Sequence, residues 1–447
     1  MSLKNKVFKG GSWVLVGHFV SQAVRLGGNL VLTRLLVPEM FGLMAVVTVV
    51  LNGIAMFSDL GINQNVIQSK NASEKSYINT AWAVQILRGL IIFLFILALS
   101  AFLYYLGVNN LLPDNTVYAD PQLPFILAAM SVTGLISGFN SINLALLNRN
   151  LQFNQVVIIE LLSQVIGLLL MIGIAYYHRD IWALVTGTIV SALIKLYLSH
   201  HSSLGEKSRW GWNKQALQEI FHFGKWVFGA SIFTFLMAQG DRLILGALIT
   251  PHELGVYTIA FFLAMSFNKM VRKVMSSVLY SALSDVVRNR PQDLKRVYYK
   301  MRMPLDIVVM VVVGGLVSSG HLVIDFLYDE RYQEAGWMLE VLSLSTIFLG
   351  TTMAGVCFMA LGDSKSIMFL TGVTAVFLFI TVPLAFHFYG LYGAVIAIAL
   401  HSVIEIPLIF YKMHQYKLLS WLDEFKAWPV FFLVYGLGHY AMTFFGL

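Results

Sequence analysis

The sequence predicts an all-α polytopic membrane protein, and three observations carry that prediction. The 447 residues are 58% hydrophobic and 12% charged, with a mean hydropathy of +0.74, far more apolar than a soluble core requires. The apolar residues fall in runs of about 20, roughly 30 Å of helix, which matches the hydrocarbon thickness of a bilayer. The sequence also repeats itself: Phe8, Gly11, Trp13, Pro38 and Gly42 recur as Phe221, Gly224, Trp226, Pro251 and Gly255, each 213 residues on. Spanning β-strands would be half as long and would alternate, which these runs do not.

Twelve spans are predicted: Gly11 to Leu32, Met40 to Phe57, Ala81 to Leu106, Pro124 to Leu147, Val156 to Tyr177, Ile181 to Leu198, Trp226 to Leu248, Leu254 to Lys273, Pro304 to Leu327, Trp337 to Leu361, Ile367 to Phe388 and Leu391 to Tyr411. A thirteenth runs from Trp428 to Leu447. Hydrocarbon offers the backbone no water, so each run must close its hydrogen bonds within itself, as a helix. The offset between the copies equals six spans, an even number, so both copies enter the membrane from the same side. This is a parallel repeat: two pseudo-symmetric six-helix bundles around a central cavity, an architecture common among transporters. The expected organisation is an N-terminal bundle over 1–199, a cytoplasmic linker over 200–225 containing Glu206, Lys207, Arg209 and Lys214, a second bundle over 226–411, and a tail over 412–447 with one further helix.

Lys and Arg placement sets the orientation. With Lys4, Lys6 and Lys9 cytoplasmic, the same side collects Lys70, Lys75, Arg149, Lys195, Lys207, Arg209, Lys214, Lys225, the run from Lys269 to Arg302, Lys365, Lys412, Lys417 and Lys426. The opposite side keeps Arg34, Arg179 and Arg331, against Asp114, Asp120, Asp180, Glu253, Asp329, Glu330 and Glu334. The formal charge of +7 is therefore an orientation signal, with some attraction to anionic headgroups. Nucleic acid is excluded as a partner, because the basic residues lie in short loops between helices and form no folded basic domain. The single cysteine, Cys357, permits no disulfide framework. The basic N-terminus precedes an apolar run of full length that contains Arg25 and no small-residue cleavage site, so it is expected to remain as the first helix.

Ionisable side chains inside a bilayer are costly and are functional candidates by default. His18, Gln22, Arg25 and Asn29 lie at i, i+4, i+7 and i+11 of the first span and form one polar stripe. Arg25 either lines a cavity or pairs with an acid such as Glu160. The seventh span carries Gln239, Asp241 and Arg242, with Arg242 aligned to Asn29 in the repeat. Two guanidiniums on a shared cavity suit a diphosphate, because Arg presents a planar fork of donors. Arg88, one turn from Gln85, either receives an anion or snorkels to headgroups. Glu160, with Gln164 at i+4, and Glu405, two residues before Pro407, are candidates for binding a coupling proton or cation. Asp306, Asp325 and Glu340 lie near predicted helix ends and are expected to be solvated. Thr133, Ser137, Asn140 and Ser141 fit either sugar hydrogen bonding or interhelical contacts.

No catalytic or metal-binding pattern is found: no phosphate-binding glycine loop, HExxH, CxxC or GxSxG, and the histidines are scattered. No cofactor is expected, and the chain is not expected to be an enzyme. Without a nucleotide site, energy must come from ion gradients, membrane potential or the substrate gradient.

The stretches LTRLLVPEMFGLMAVV, SDLGINQNVIQ, NRNLQFNQVVIIE and GDRLILGALITPHELGVYTIA resemble the polysaccharide transporter family. These are the Wzx-type lipid-linked oligosaccharide flippases of the multidrug/oligosaccharidyl-lipid/polysaccharide exporter superfamily, with colanic-acid-exporter-like members nearest. The resemblance implies a multi-pass bacterial inner-membrane protein that moves a polyprenyl-diphosphate-linked oligosaccharide to the periplasmic leaflet by alternating access. It implies cavity arginines for the diphosphate, mapping onto Arg25 and Arg242, and membrane lipids and polysaccharide polymerase or export machinery as partners. Family members usually have fourteen spans, whereas thirteen are read here. Two alternatives remain at this point. A multidrug or cation antiporter of the same superfamily should favour an acidic cavity. A membrane-embedded glycan polymerase or ligase normally needs a large external loop, and the longest external segment here is Gly107 to Leu123.

Overall fold

The computed structural model describes residues 3–69, 71, 74–201 and 208–445; among them every regular element is helical. Glu206 and Lys207 of the expected linker and Lys70 lie outside the described residues, as do the side chains of Lys4, Lys6, Lys9, Lys225 and Trp226. The helices are α1 (Leu3–Leu35), α2 (Pro38–Phe57), α3 (Ile62–Gln68), α4 (Lys75–Val108), α5 (Leu123–Phe139), α6 (Asn143–Arg149), α7 (Phe153–Tyr177), α8 (Trp182–Ser199) and α9 (Lys214–Gly246). They continue with α10 (Pro251–Asn289), α11 (Leu294–Leu327), α12 (Ala335–Ser343), α13 (Leu349–Thr352), α14 (Ala354–Ala360), α15 (Ser364–Leu400), α16 (Glu405–Gln415), α17 (Trp421–Phe425) and α18 (Trp428–Phe445).

Each predicted span falls on helix. Among the described residues, seven helices are individually long and apolar enough to cross a membrane, and two bent pairs, α5 with α6 at 57° and α12 with α13–α14 at 41°, bring the number to nine. The run over 365–415 counts as one of these although it holds two predicted spans. They are separated inside α15 at Gly390, whose φ of 61° and ψ of −152° only glycine adopts readily. Outside this number, α1 is less apolar because of its polar residues, and α18 carries His439, Tyr435 and Tyr440. Non-helical backbone within the long helices lies at Ser319 and Gly390, while α11 runs unbroken through Pro304.

The chain divides into two compact units, Met1–Leu254 and Gly255–Leu447. In the first, small residues let helices approach closely. A Cβ on Gly89 of α4 would come within 2.7 Å of the Cα of Gly138 on α5. The α9 helix packs along α2, with Phe235 over Gly53 and its ring 4.9 Å from that of Phe57. At one end of this unit, Glu39 and His252, which hold the same place in the two copies of the repeated motif, meet at 2.9 Å. Beside them the Tyr118 hydroxyl donates to the Leu243 carbonyl at 3.3 Å, and burial pushes that phenol up to about 12. At the other end, Asn79 and Thr80 of α4 accept from the backbone N–H groups of Arg209 and Asn213, both at 2.8 Å. Asn213 then caps α9 by accepting from the N–H groups of Gln215 and Ala216.

The second unit surrounds a buried ionic network. Arg302 on α11 contacts Asp306 and Glu424 at 2.7 Å each, and the three side chains are only 3%, 6% and 1% exposed. The Arg302 guanidinium also donates to the Tyr298 hydroxyl, while Glu424 accepts from Tyr299 at 2.8 Å and Thr351 at 3.0 Å. Asp306 is therefore not solvated, contrary to expectation. The α11 helix begins at Leu294, well before the predicted start at Pro304, which carries Asp306 into the interior. Gly350 is required beside it, since a Cβ there would collide with the Asp306 carboxylate.

Replacing Arg302 with Met would strand two buried carboxylates and is expected to destabilise the protein by about 3–5 kcal/mol. The combination Arg302→Met, Asp306→Leu and Glu424→Leu should recover much of the loss, read as melting of the helical signal in detergent. A second expectation concerns Asp363, which caps α15. Hydrogen bonds from the Ser366 hydroxyl, the Tyr416 hydroxyl and the Ser366 N–H hold its carboxyl down to about 2. An unfolded aspartate titrates near ~3.9, so this stabilisation is complete above that pH and is lost as pH falls towards 2. Melting temperature followed from pH 5 to pH 2 should fall less steeply in Asp363→Asn.

Candidate functional site

The polar stripe of α1 is set by the seam beside it. Gly17, Ser21 and Gly28 face α7: Gly17 meets Val157, Gly28 meets Leu168, and the Ser21 hydroxyl donates to Gln164 Oε1 at 2.6 Å. Gln164 returns a hydrogen bond to the Ser21 carbonyl at 3.0 Å. His18, Gln22 and Asn29 each follow a seam residue by one position, and Arg25 lies on their face, so the stripe is turned about 100° away from α7. His18, Gln22 and Asn29 are half-buried, and the Oδ1 of Asn29 is buried without a hydrogen-bond partner among the described residues. Arg25 is exposed and makes no hydrogen bond or ion pair among the described residues. The pairing of Arg25 with Glu160 weighed from sequence does not form, because Glu160 on α7 meets Lys195 of α8 at 3.4 Å.

Arg88 is engaged by partners within the protein. Its guanidinium donates to the Ala55 carbonyl at 2.6 Å and the Ser58 hydroxyl at 3.2 Å, and lies 3.7 Å from Asp59. Those groups are the end of α2, where the chain turns through Gly61 (φ 59°) into α3. One turn earlier, Gln85 Nε2 donates to the carbonyls of Gly138 at 3.0 Å and Asn140 at 2.8 Å, where α5 breaks before α6. A single turn of α4 thus caps two broken helices. The Arg149 guanidinium does the same for the end of α3, donating to the Val66 carbonyl at 2.9 Å and the Ser69 carbonyl at 2.5 Å.

These breaks leave a polar groove of about 290 Å³, lined by Asn63, Gln85, Arg88, Asn140, Asn148, Glu160 and Lys195 among others. Of the residues weighed from sequence it brings together Gln85, Arg88, Ser137, Asn140, Ser141 and Glu160. It also recruits Asn63, Asn148 and Lys195, which sequence reasoning does not single out as site residues; Lys195 reads there as part of the orientation signal.

Arg242 is half-buried on α9, with its Nη1 donating to Gln239 Oε1 at 2.9 Å, and neighbouring Asp241 is 5% exposed. Glu405 lies in the second unit, half-buried in the first turn of α16 and after a 3-10 turn, His401–Ile404. Its carboxylate accepts from the Thr374 hydroxyl at 3.4 Å and interacts with the charge of Arg272.

The sequence model of a family described as "Polysaccharide biosynthesis protein" matches residues 31–337, more than half of the chain. The chain is 22% identical to the lipopolysaccharide biosynthesis protein WzxC of Escherichia coli (strain K12), over 98% of this chain and 89% of that one. It is also 22% identical to the succinoglycan biosynthesis transport protein ExoT of Rhizobium meliloti (strain 1021), over 70% of this chain and 61% of that one. Among solved structures it resembles the lipid II flippase MurJ in an inward closed conformation, with a TM-score of 0.67 at 12% identity over 96% of this chain and 98% of that one. It matches an inward-facing multidrug resistance transporter of the MATE family with the same TM-score at 13% identity, over 91% of this chain and 99% of that one. These likenesses establish the fold.

Arg88→Ala should lower stability by about 1–3 kcal/mol, the cost of leaving the Ala55 carbonyl and the half-buried Asp59 carboxylate without their donor. Arg88→Lys should restore only part of it, because an ammonium lacks the fork. Melting of the purified protein checks both.

Proposed function

This chain belongs to the polysaccharide biosynthesis protein family, and on that premise we propose that it flips a polyprenyl-diphosphate-linked oligosaccharide across the bacterial inner membrane. Supporting this reading is Arg25, an exposed arginine without an ion pair among the described residues, in the middle of an apolar helix. A permanent charge there is costly unless it serves a polar pathway. A glycan carrying a diphosphate cannot cross hydrocarbon unaided, so the protein must supply a wet, cationic route while the prenyl tail stays in lipid. Arg25 and Arg242 hold the diphosphate, with His18, Gln22 and Asn29 beside it; the two arginines come from the two copies of the repeat, whose bundles rock about a common cavity. The cytoplasmic face is the one bearing the N-terminus, and the cargo passes to polymerase or export machinery on the far side. Glu405, and Glu160 with Lys195, are the acids available for ion coupling. No covalent chemistry is involved.

A multidrug or cation antiporter would carry an acidic site, and the exposed Arg25 disfavours it. Deletion in the native host is expected to accumulate a glycosylated polyprenyl diphosphate on the inner leaflet. Arg25→Ala and Arg242→Ala should each slow its clearance about tenfold or more at normal protein level, the loss of one or two charge-assisted hydrogen bonds to phosphate. Unchanged surface glycan in both variants would refute the reading.

A further inference from the structure

The groove held open by the caps of α2 and α5 has a use of its own. We propose that it binds the sugar portion of the cargo, with Glu160 and Lys195 as the pair that reads the sugar hydroxyls. This rests on the flippase reading and adds which residues recognise the glycan.

The groove divides into fixed walls and available groups. Gln85 and Arg88 direct their donors at helix ends and serve as framework. Other groups remain available: the side-chain amides of Asn63 and Asn148 make no hydrogen bond among the described residues, and the buried Oδ1 of Asn140 has no partner. Glu160 and Lys195 approach from α7 and α8 at 3.4 Å, long for a charge-assisted hydrogen bond, and both are more than a third exposed. Such a pair contributes little stability by itself, so its contact with Lys195 leaves Glu160 able to engage a ligand.

The chemistry selects a hydroxylated ring over an anion. A carboxylate only accepts and an ammonium only donates, whereas a sugar hydroxyl does both. Adjacent hydroxyls can therefore bridge the pair, one donating to Glu160 and the next accepting from Lys195, while the amides take the rest. Arg88 has Asp59 at 3.7 Å and Lys195 has Glu160, so the cations of the groove are already matched, and a diphosphate drawn to Lys195 would also meet the Glu160 carboxylate. Ile92, Leu144 and Val156 offer apolar wall to the C–H face of a ring. A volume of about 290 Å³ suits one or two sugar units and is too small for the whole lipid-linked repeat.

The test uses the host's own glycan. The lipid-linked pool accumulated by the deletion strain is hydrolysed with mild acid, and the released oligosaccharide is titrated into the full-length protein in nanodiscs. The parent should bind, and Glu160→Gln, Lys195→Met and Asn148→Ala should each weaken binding about tenfold with melting temperatures near the parent's. All three lie on exposed or half-exposed helix faces, where substitution leaves the fold intact. Inorganic diphosphate should not compete; competition would make the groove an anion site and overturn the assignment. Absence of any lipid-linked pool would defeat the flippase reading itself. A pool whose glycan binds neither the parent nor the variants, or binds all of them equally, would defeat only the groove.

Discussion

In a bilayer every backbone carbonyl that loses its helical donor must find another inside the protein, and this requirement organises the first unit. Straight apolar helices satisfy it automatically, but α2 and α5 both break before short helices follow. At each break a long side chain from another helix takes over: Arg88 at the end of α2, Gln85 at the end of α5 and Arg149 at the end of α3. Without these donors the breaks would carry unsatisfied carbonyls at several kcal/mol apiece. With them, the chain can hold irregular backbone at depth, and irregular backbone is what opens a groove between otherwise close-packed helices.

The same requirement separates framework charge from working charge. Arg302 sits among Asp306, Glu424, Tyr298 and Thr351 with its donors directed at partners, and it ties α11 to α13 and to the tail segment α17. Arg88 likewise spends its fork on the end of α2. Arg25 has no such partners, and the small residues that hold α1 to α7 lie on the neighbouring face of the helix. Three arginines of one chain therefore do three things. Residue type decides none of this; the number of acceptors within reach does.

This explains what could be read beforehand. The spans were legible because twenty apolar residues in a row have one physical solution in lipid, and the polar stripe of α1 was legible because helical spacing is local. Arg88 and Glu160 stood out as charges within spans. The partners were not legible: Glu424 is 122 residues from Arg302, and nothing in WLDEF signals that its glutamate will be buried. Arg302 lay inside a basic run and Lys195 near a span end, positions where orientation is the ordinary reason for a positive charge. The helix breaks were only partly marked. Gly61 and Gly390 announce unusual backbone, but the turn at Asn140 contains no proline and no left-handed residue, and it depends on Gln85, which comes from another helix.

The two ends of the first unit are held in different ways. At the Glu39–His252 end, α2 and the start of α10 are joined by a contact between half-exposed side chains, where water competes for both partners, while the Tyr118 hydroxyl and the Val117 N–H donate to the carbonyls of Leu243 and Ile249. At the other end, Asn79 and Thr80 hold the extended stretch before α9 by its backbone, and Asn213 caps the helix that follows. Loosening α9 from α2 therefore has to break hydrogen bonds to the backbone at either end, and not only the solvated Glu39–His252 pair.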